Sequence, residues 1–206
     1  MLQNARIFLT VLRIVKWLRR WKIMYRKLNN TLYHGTVSEI KQVDVSLGRG
    51  RKDFGKGFYM AVSKGQAIGM MHKKYREAIR RNRNKQDVVF QERLYEINLD
   101  TELLSQYNVK QFDSADIEWL DFILDCREKG GVPHDYDVVI GPTADDDTAL
   151  CLKAYWDGLY GKVGSQAAKN TLLNNLETEN LGVQYFIGNQ DVANAIITNI
   201  TEINWG

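Results

Sequence analysis

The chain has 206 residues, 44% of them hydrophobic and 26% charged, with only two prolines. That is the make-up of one globular domain with room for a short appendage, and it excludes a low-complexity or repeat architecture. The net charge of +3 is unevenly divided: residues 1–28 hold eight of the 28 Lys and Arg and no acid, leaving 20 basic against 25 acidic groups, a net of −5, in the remainder. A mildly acidic main body argues against nucleic-acid binding driven by counterion release.

In chain order, residues 6–27 come first and have helical periodicity. Ile7, Val11, Ile14, Leu18 and Trp21 form one stripe, with Arg6, Arg13, Lys16, Arg20 and Lys27 gathered opposite. Arg13 and Lys16 interrupt the apolar run, so no transmembrane span is expected, and no signal-peptide core is present. A basic amphipathic helix packs on its own domain, docks in a partner's groove or lies on an anionic membrane. The expected organisation is a basic helical arm over residues 1–29 and a domain over residues 30–206.

From residue 31 the texture changes. "TLYHGT" reads as a short strand, "VSEIKQV" as a brief helix opened by Ser38, and "LGRGRKDFGKG" as a flexible, cation-rich loop. "FYMAV" is a strand, followed by a long helix with Ser63 as N-cap, whose basic tail from Lys73 to Lys85 is expected to be a solvated face and then a loop. "VVFQERLYEINL" alternates as a strand. "DSADIEWLDFILDCREK" is a helix capped by Asp113 or Ser114 and stopped at Gly130-Gly131. "YDVVIG" is a buried-type strand, and "DDDTALCLKAYWDGLY" a helix with acids at its positive end. A further helix over about residues 165–177, a strand at "GVQYFIG" and a closing helix at "NQDVANAIITNI" complete the chain. Strands and helices mix without regular alternation, so the fold class is α+β. Cys126 and Cys151 are too few for a disulfide framework and lack metal-ligand spacing, so they are expected as small buried hydrophobes in an intracellular, cytoplasmic setting.

Three segments carry candidate chemistry: "YHGT" (Tyr33 to Thr36), "DFGKGFYMAVSKGQA" (Asp53 to Ala67) and "VQYF" (Val183 to Phe186). A strand His followed by Gly, then an aromatic-glycine segment with a strand Tyr and a Ser, then a late polar strand residue, resembles the ADP-ribosyltransferase superfamily. The likeness is closest to its diphtheria-toxin and poly(ADP-ribose) polymerase branch. "YHGT…DFGKGFY…GPTADDD" also looks like an uncharacterised bacterial family of transferase-like proteins often encoded beside small antitoxin-like partners. The resemblance covers about residues 32–197. It implies two small apposed β-sheets with flanking helices, NAD as substrate, and an unknown macromolecular acceptor. It also implies a toxin or defence role, with an antitoxin or other partner engaging the residue 6–27 helix.

The resemblance also implies roles. His34 positions a ribose, Tyr59 stacks on nicotinamide, and Gln184 occupies the slot where the pattern has a catalytic Glu. Gly35 would show its backbone to the carboxamide. Thr36 or Ser63 would add a hydroxyl, Phe54, Gly55 and Gly57 would let the chain approach the nucleotide, and Met70 stands where a second stacking aromatic is usual. Gln keeps a hydrogen bond but has neither charge nor basicity. Asp145, Asp146 and Asp147 are the backup acids, with Asp146 preferred, and Glu96 is a weaker one. His72 and His134 are expected as surface or loop residues. Two functions follow as expectations: an NAD-dependent mono-ADP-ribosyltransferase, or a catalytically weak NAD-binding module that acts through a partner.

Overall fold

A computed structural model describes residues 28–83, 88–144, 146–176 and 181–205; the basic arm falls almost wholly outside them. Seven strands and five helices are described. The strands are β1 (Thr31–Thr36), β2 (Phe58–Ala61), β3 (Arg93–Leu99), β4 (Val109–Gln111), β5 (Val138–Pro142), β6 (Val183–Ile187) and β7 (Ile197–Ile203). The helices are α1 (Lys64–Arg81), α2 (Ile117–Lys129), α3 (Asp146–Trp156), α4 (Gln166–Asn175) and α5 (Gln190–Ile196). The class is α+β, and no helix among the described residues is long and apolar enough to cross a membrane.

Local chemistry starts and stops these elements. Ser63, Asp116, Ser165 and Asn189 each sit in extended backbone and accept from an amide of the first helical turn. The cap of α2 is therefore Asp116 rather than Asp113 or Ser114. Gly130, at φ +70°, ends that helix in a conformation that side chains resist. Residues 37–43 form bends instead of the expected helix, and only a 3-10 turn at Val45–Leu47 follows, capped by Asp44.

The strands lie side by side in the order β4-β5-β6-β2-β1-β3-β7, one mixed sheet in place of the two expected. Only β4 and β5 are parallel, with α2 as their crossover. At the centre the sheet is thin. β1 meets β2 at a single register pair, Tyr33 with Ala61, whereas β1 and β3 share six and β2 and β6 share four. In that register the next rung would join Gly35 to Tyr59. Side chains take those carbonyls instead: the His34 imidazole meets Tyr59 O at 2.6 Å, and the Lys74 ammonium donates to Gly35 O at 2.7 Å. The ladder is continuous by one bridge and split by two side chains.

The core has two sides. On one, Ile196 of α5 packs with Leu32, Met60, Ile97 and Ile187. On the other, Ala67 and Met71 of α1 pack with Ala61 and Leu94, while Trp119 of α2, Leu152 of α3 and Leu172 of α4 pack with Phe54, Val139 and Phe186. Burying these side chains is the main favourable term for the fold.

Gly35 is where α1 comes closest to β1: a Cβ there would stand 2.0 Å from Ala67 O and 2.7 Å from Met71 Cβ. Its smallness is required by the helix behind it. Gly35→Ala is therefore expected to lower stability by about 3 kcal/mol. Gly69→Ala, at a helical site with nothing within 4 Å, should raise it by about 0.5–1 kcal/mol. Urea melts of the two variants test this; equal effects would show that α1 does not press on β1.

Candidate functional site

His34 lies in the β1–β2 seam. Its ring stacks on Phe58 with centroids 4.6 Å apart, and its two nitrogens have different partners. Burial, then the Lys74 charge, push the imidazole down to about 3, so it is neutral near pH 7. A neutral ring has one donor and one acceptor. Nδ1, facing the Tyr59 carbonyl, must hold the proton, and Nε2 accepts from Lys74 at 3.2 Å. The donation to a ribose expected of His34 is thus directed to protein in this state, and Lys74 presents the N–H groups.

Lys74 was not singled out by the sequence, where it reads as part of a solvated basic face. Instead it is drawn into the seam, half-buried between Gly35 O and His34 Nε2. Burial first, then the charges of Lys52 and Arg49, bring its ammonium down to about 8. Thr36 is buried, and its hydroxyl accepts from Ser38 N.

Tyr59 follows the glycine loop onto β2 and faces the helical side of the sheet. Its hydroxyl donates to Gly55 O at 2.7 Å and accepts from Phe54 N at 3.0 Å, while its half-buried ring leans on Phe186 at 5.2 Å. Burial and the Asp53 carboxylate hold the phenol well above its ordinary range, so it stays a donor. Gly55 has φ +90°, and a Cβ on Gly57 would strike Ile187 O at 2.3 Å. These glycines thus serve a turn and a close packing against β6. Phe54, expected at a ligand, is fully buried among Phe112, Phe122 and Phe186.

Gln184 lies on the same face as Tyr59, because the register sets Gln184 opposite Ala61 and Phe186 opposite Tyr59. It is buried, and its amide donates to Asp53 Oδ2 at 2.8 Å. Asp53 also accepts from Ala144 N at 3.0 Å and from Arg127, Nη2 at 2.6 Å and Nε at 3.1 Å. Asp53 is marked in the sequence only as a lone acid among Arg49, Arg51, Lys52 and Lys56 beside an aromatic.

The remaining candidates disperse. Ser63 is committed to capping α1, and Met70 is exposed on that helix. Asp146 opens α3, but the side chains of residues 145–147 lie outside the described part. His134 lies in a loop as expected, half-buried, where it stacks on Phe122 and meets Phe54 O at 3.0 Å. His72 pairs with Glu92 at 2.6 Å. Cys126 is buried, with its thiol pushed up to about 12 mainly by burial, and Cys151 is half-buried. Among the described residues, no group of three or more His, Cys, Asp or Glu is arranged to hold a metal.

Residues 30–197 match the model of the DUF3990 family, described as a protein of unknown function, and the chain belongs to that family. No curated protein and no solved structure matches it.

Two outcomes follow from this geometry. The unfolded His34 imidazole titrates near 6.5 and the folded one near 3, so the unfolded chain binds more protons between these values. Stability should fall as pH drops below about 6.5, by up to about 1.4 kcal/mol per unit from this group. His34→Gln should show a shallower loss in denaturant melts from pH 7 to 4.5; parallel curves would contradict a neutral buried ring. Gln184→Glu sets a second carboxylate against Asp53, and should cost on the order of 3 kcal/mol at pH 7. The cost should shrink toward pH 5, where the new carboxyl protonates and donates, and Asp53→Asn in the same chain should recover part of it.

Proposed function

We propose that this DUF3990 member binds NAD at the β1–β2 seam and acts as a mono-ADP-ribosyltransferase. The observation that supports the reading most is the seam itself. Two adjacent central strands part after one rung, and the residues held at the parting, His34, Gly35 and Tyr59, are those of the resembling motifs. A gap between strand ends with unladdered carbonyls is where a carboxamide can find both donor and acceptor.

The chemistry asked of such a site is modest in parts. The glycosidic bond of NAD breaks with its electron pair leaving on nicotinamide. The ribose then carries oxocarbenium character until an acceptor attacks C1 and gives up a proton. The site must hold both ends of the stretching bond. Tyr59 is fixed at its hydroxyl by Phe54 N and Gly55 O, so its ring is held without a rotamer search. His34 is fixed by stacking and by two nitrogen contacts. NAD entry on this reading requires Lys74 to move off Gly35 O.

A second reading has its own observation. Gln184, in the slot of the expected Glu, is occupied in holding Asp53, and an amide cannot take a proton from an acceptor. On that reading the domain binds NAD without transferring it and works through a partner.

Labelled NAD incubated with the protein and cell lysate tests both. Transfer of label or release of nicotinamide, lost in Tyr59→Ala and reduced at least tenfold in His34→Ala, is expected for the transferase. An NAD-dependent rise in melting temperature without release leaves the binding module. Neither release nor a thermal shift would sink both.

A further inference from the structure

The seam opens beside a concentration of cations that the transferase reading does not use. Lys74 reaches into it from α1, with two acceptors for its three N–H groups. Lys52 begins the turn that Gly55 N closes on Lys52 O, and its ammonium is lowered by burial, against the pull of the Asp53 carboxylate, with Lys73, Arg127 and Arg49 adding to the lowering. Arg49 stretches over the same face of α1, 3.9 Å from Glu77, three residues beyond Lys74. The acids nearby are already divided: Asp53 is held by Arg127, and Glu77 is shared with Arg81 at 3.1 Å. Cations gathered this way repel one another, and each weakens its neighbour's hold on a proton. An anion relieves that repulsion. Because the body of the chain is net acidic, the patch is a local site rather than part of a general polyanion surface.

We propose that Lys74, Lys52 and Arg49 form an anion-binding site at the mouth of the β1–β2 seam, and that its ligand is the pyrophosphate of a nucleoside diphosphate. The oxyanion chemistry comes from the cation cluster; the choice of a dinucleotide's pyrophosphate rests on the transferase reading. Lys74 then has two states. Without ligand it lies on Gly35 O and His34 Nε2; with ligand it swings to the phosphates and frees both acceptors for the rest of the nucleotide. Lys is suited to this because its ammonium is a mobile point charge on a flexible stem.

Calorimetric titration with inorganic pyrophosphate, ADP and NAD tests the site. Pyrophosphate should bind one to one, more weakly as salt rises, and at least tenfold more weakly in Lys74→Gln and Lys52→Gln. Arg49→Gln, at a largely exposed side chain, keeps the test open if Lys74→Gln fails to fold, and should weaken binding several-fold. Lys110→Gln, whose ammonium pairs with Glu118 elsewhere, should change nothing. No pyrophosphate binding, or binding unaffected in both Lys52→Gln and Arg49→Gln, overturns the proposal. Lys74-dependent binding of pyrophosphate and ADP without nicotinamide release from NAD keeps the site and removes the transferase reading. Nicotinamide release undiminished in Lys52→Gln and Lys74→Gln does the reverse.

Discussion

The Asp53 carboxylate is the point from which the helical side of this domain is organised. Four N–H groups from three other segments converge on it: two from Arg127 in the last turn of α2, one from the backbone after β5, and one from Gln184 on β6. A buried carboxylate is stable only when so satisfied, and removing one member of such a pair costs about 3–5 kcal/mol. The glycine loop has little regular structure of its own, and this carboxylate, the amide of Lys56 on Gly131 O, the Tyr59 hydroxyl and the buried Phe54 ring hold it against the sheet. Phe54 follows directly and enters the core, and the chain then delivers Tyr59 onto β2. The placement of the Tyr59 ring is therefore a consequence of an ion pair some distance from it in sequence.

The same loop also supplies the opposite charge. Asp53 is paired with Arg127 and also acts on Lys52, Glu77 acts on Arg49 and Lys74, and the charges of Lys52 and Arg49 still lower the Lys74 ammonium. The neutral state of His34 belongs to the same arrangement. Lys74 donates to its Nε2, so a second proton there would meet a cation at 3.2 Å. Burial and Lys74 thus set the neutral imidazole, burial and the loop cations the weakened ammonium, and the loop backbone the fixed tyrosine.

Much of the framework was legible in the sequence. β1, β2, β3, β5 and β6 and the helices from α1 onward follow from alternation, 3.6-residue periodicity and capping residues such as Ser63. β7 was not, because "ITNI" continues the apolar run of α5 without a break and the pattern there extends the helix to Ile200. β4 has three residues, too few for a pattern. The single sheet was hidden for a different reason: whether two halves join depends on one rung, and no local signal reports a lone pair such as Tyr33 with Ala61. At the site, the motif residues were visible and their partners were not. Lys74 sits within a basic helix tail that reads as solvated, and Asp53 is linked to Gln184 across 131 positions.

That last link changes what Gln184 means. Read alone, it is a glutamate slot that has lost its charge. Beside Asp53 it is the only one of the two residue types that fits, since the carboxylate at 2.8 Å needs a donor and a second carboxylate would repel it. A negative charge is therefore present next to the slot, carried on the loop instead of on β6. It is also neutralised by a guanidinium at 2.6 Å, so the field it projects is much weaker than that of an unpaired carboxylate. On the proposed transferase function, the acceptor must either be already nucleophilic or meet a base from outside the Asp53 network.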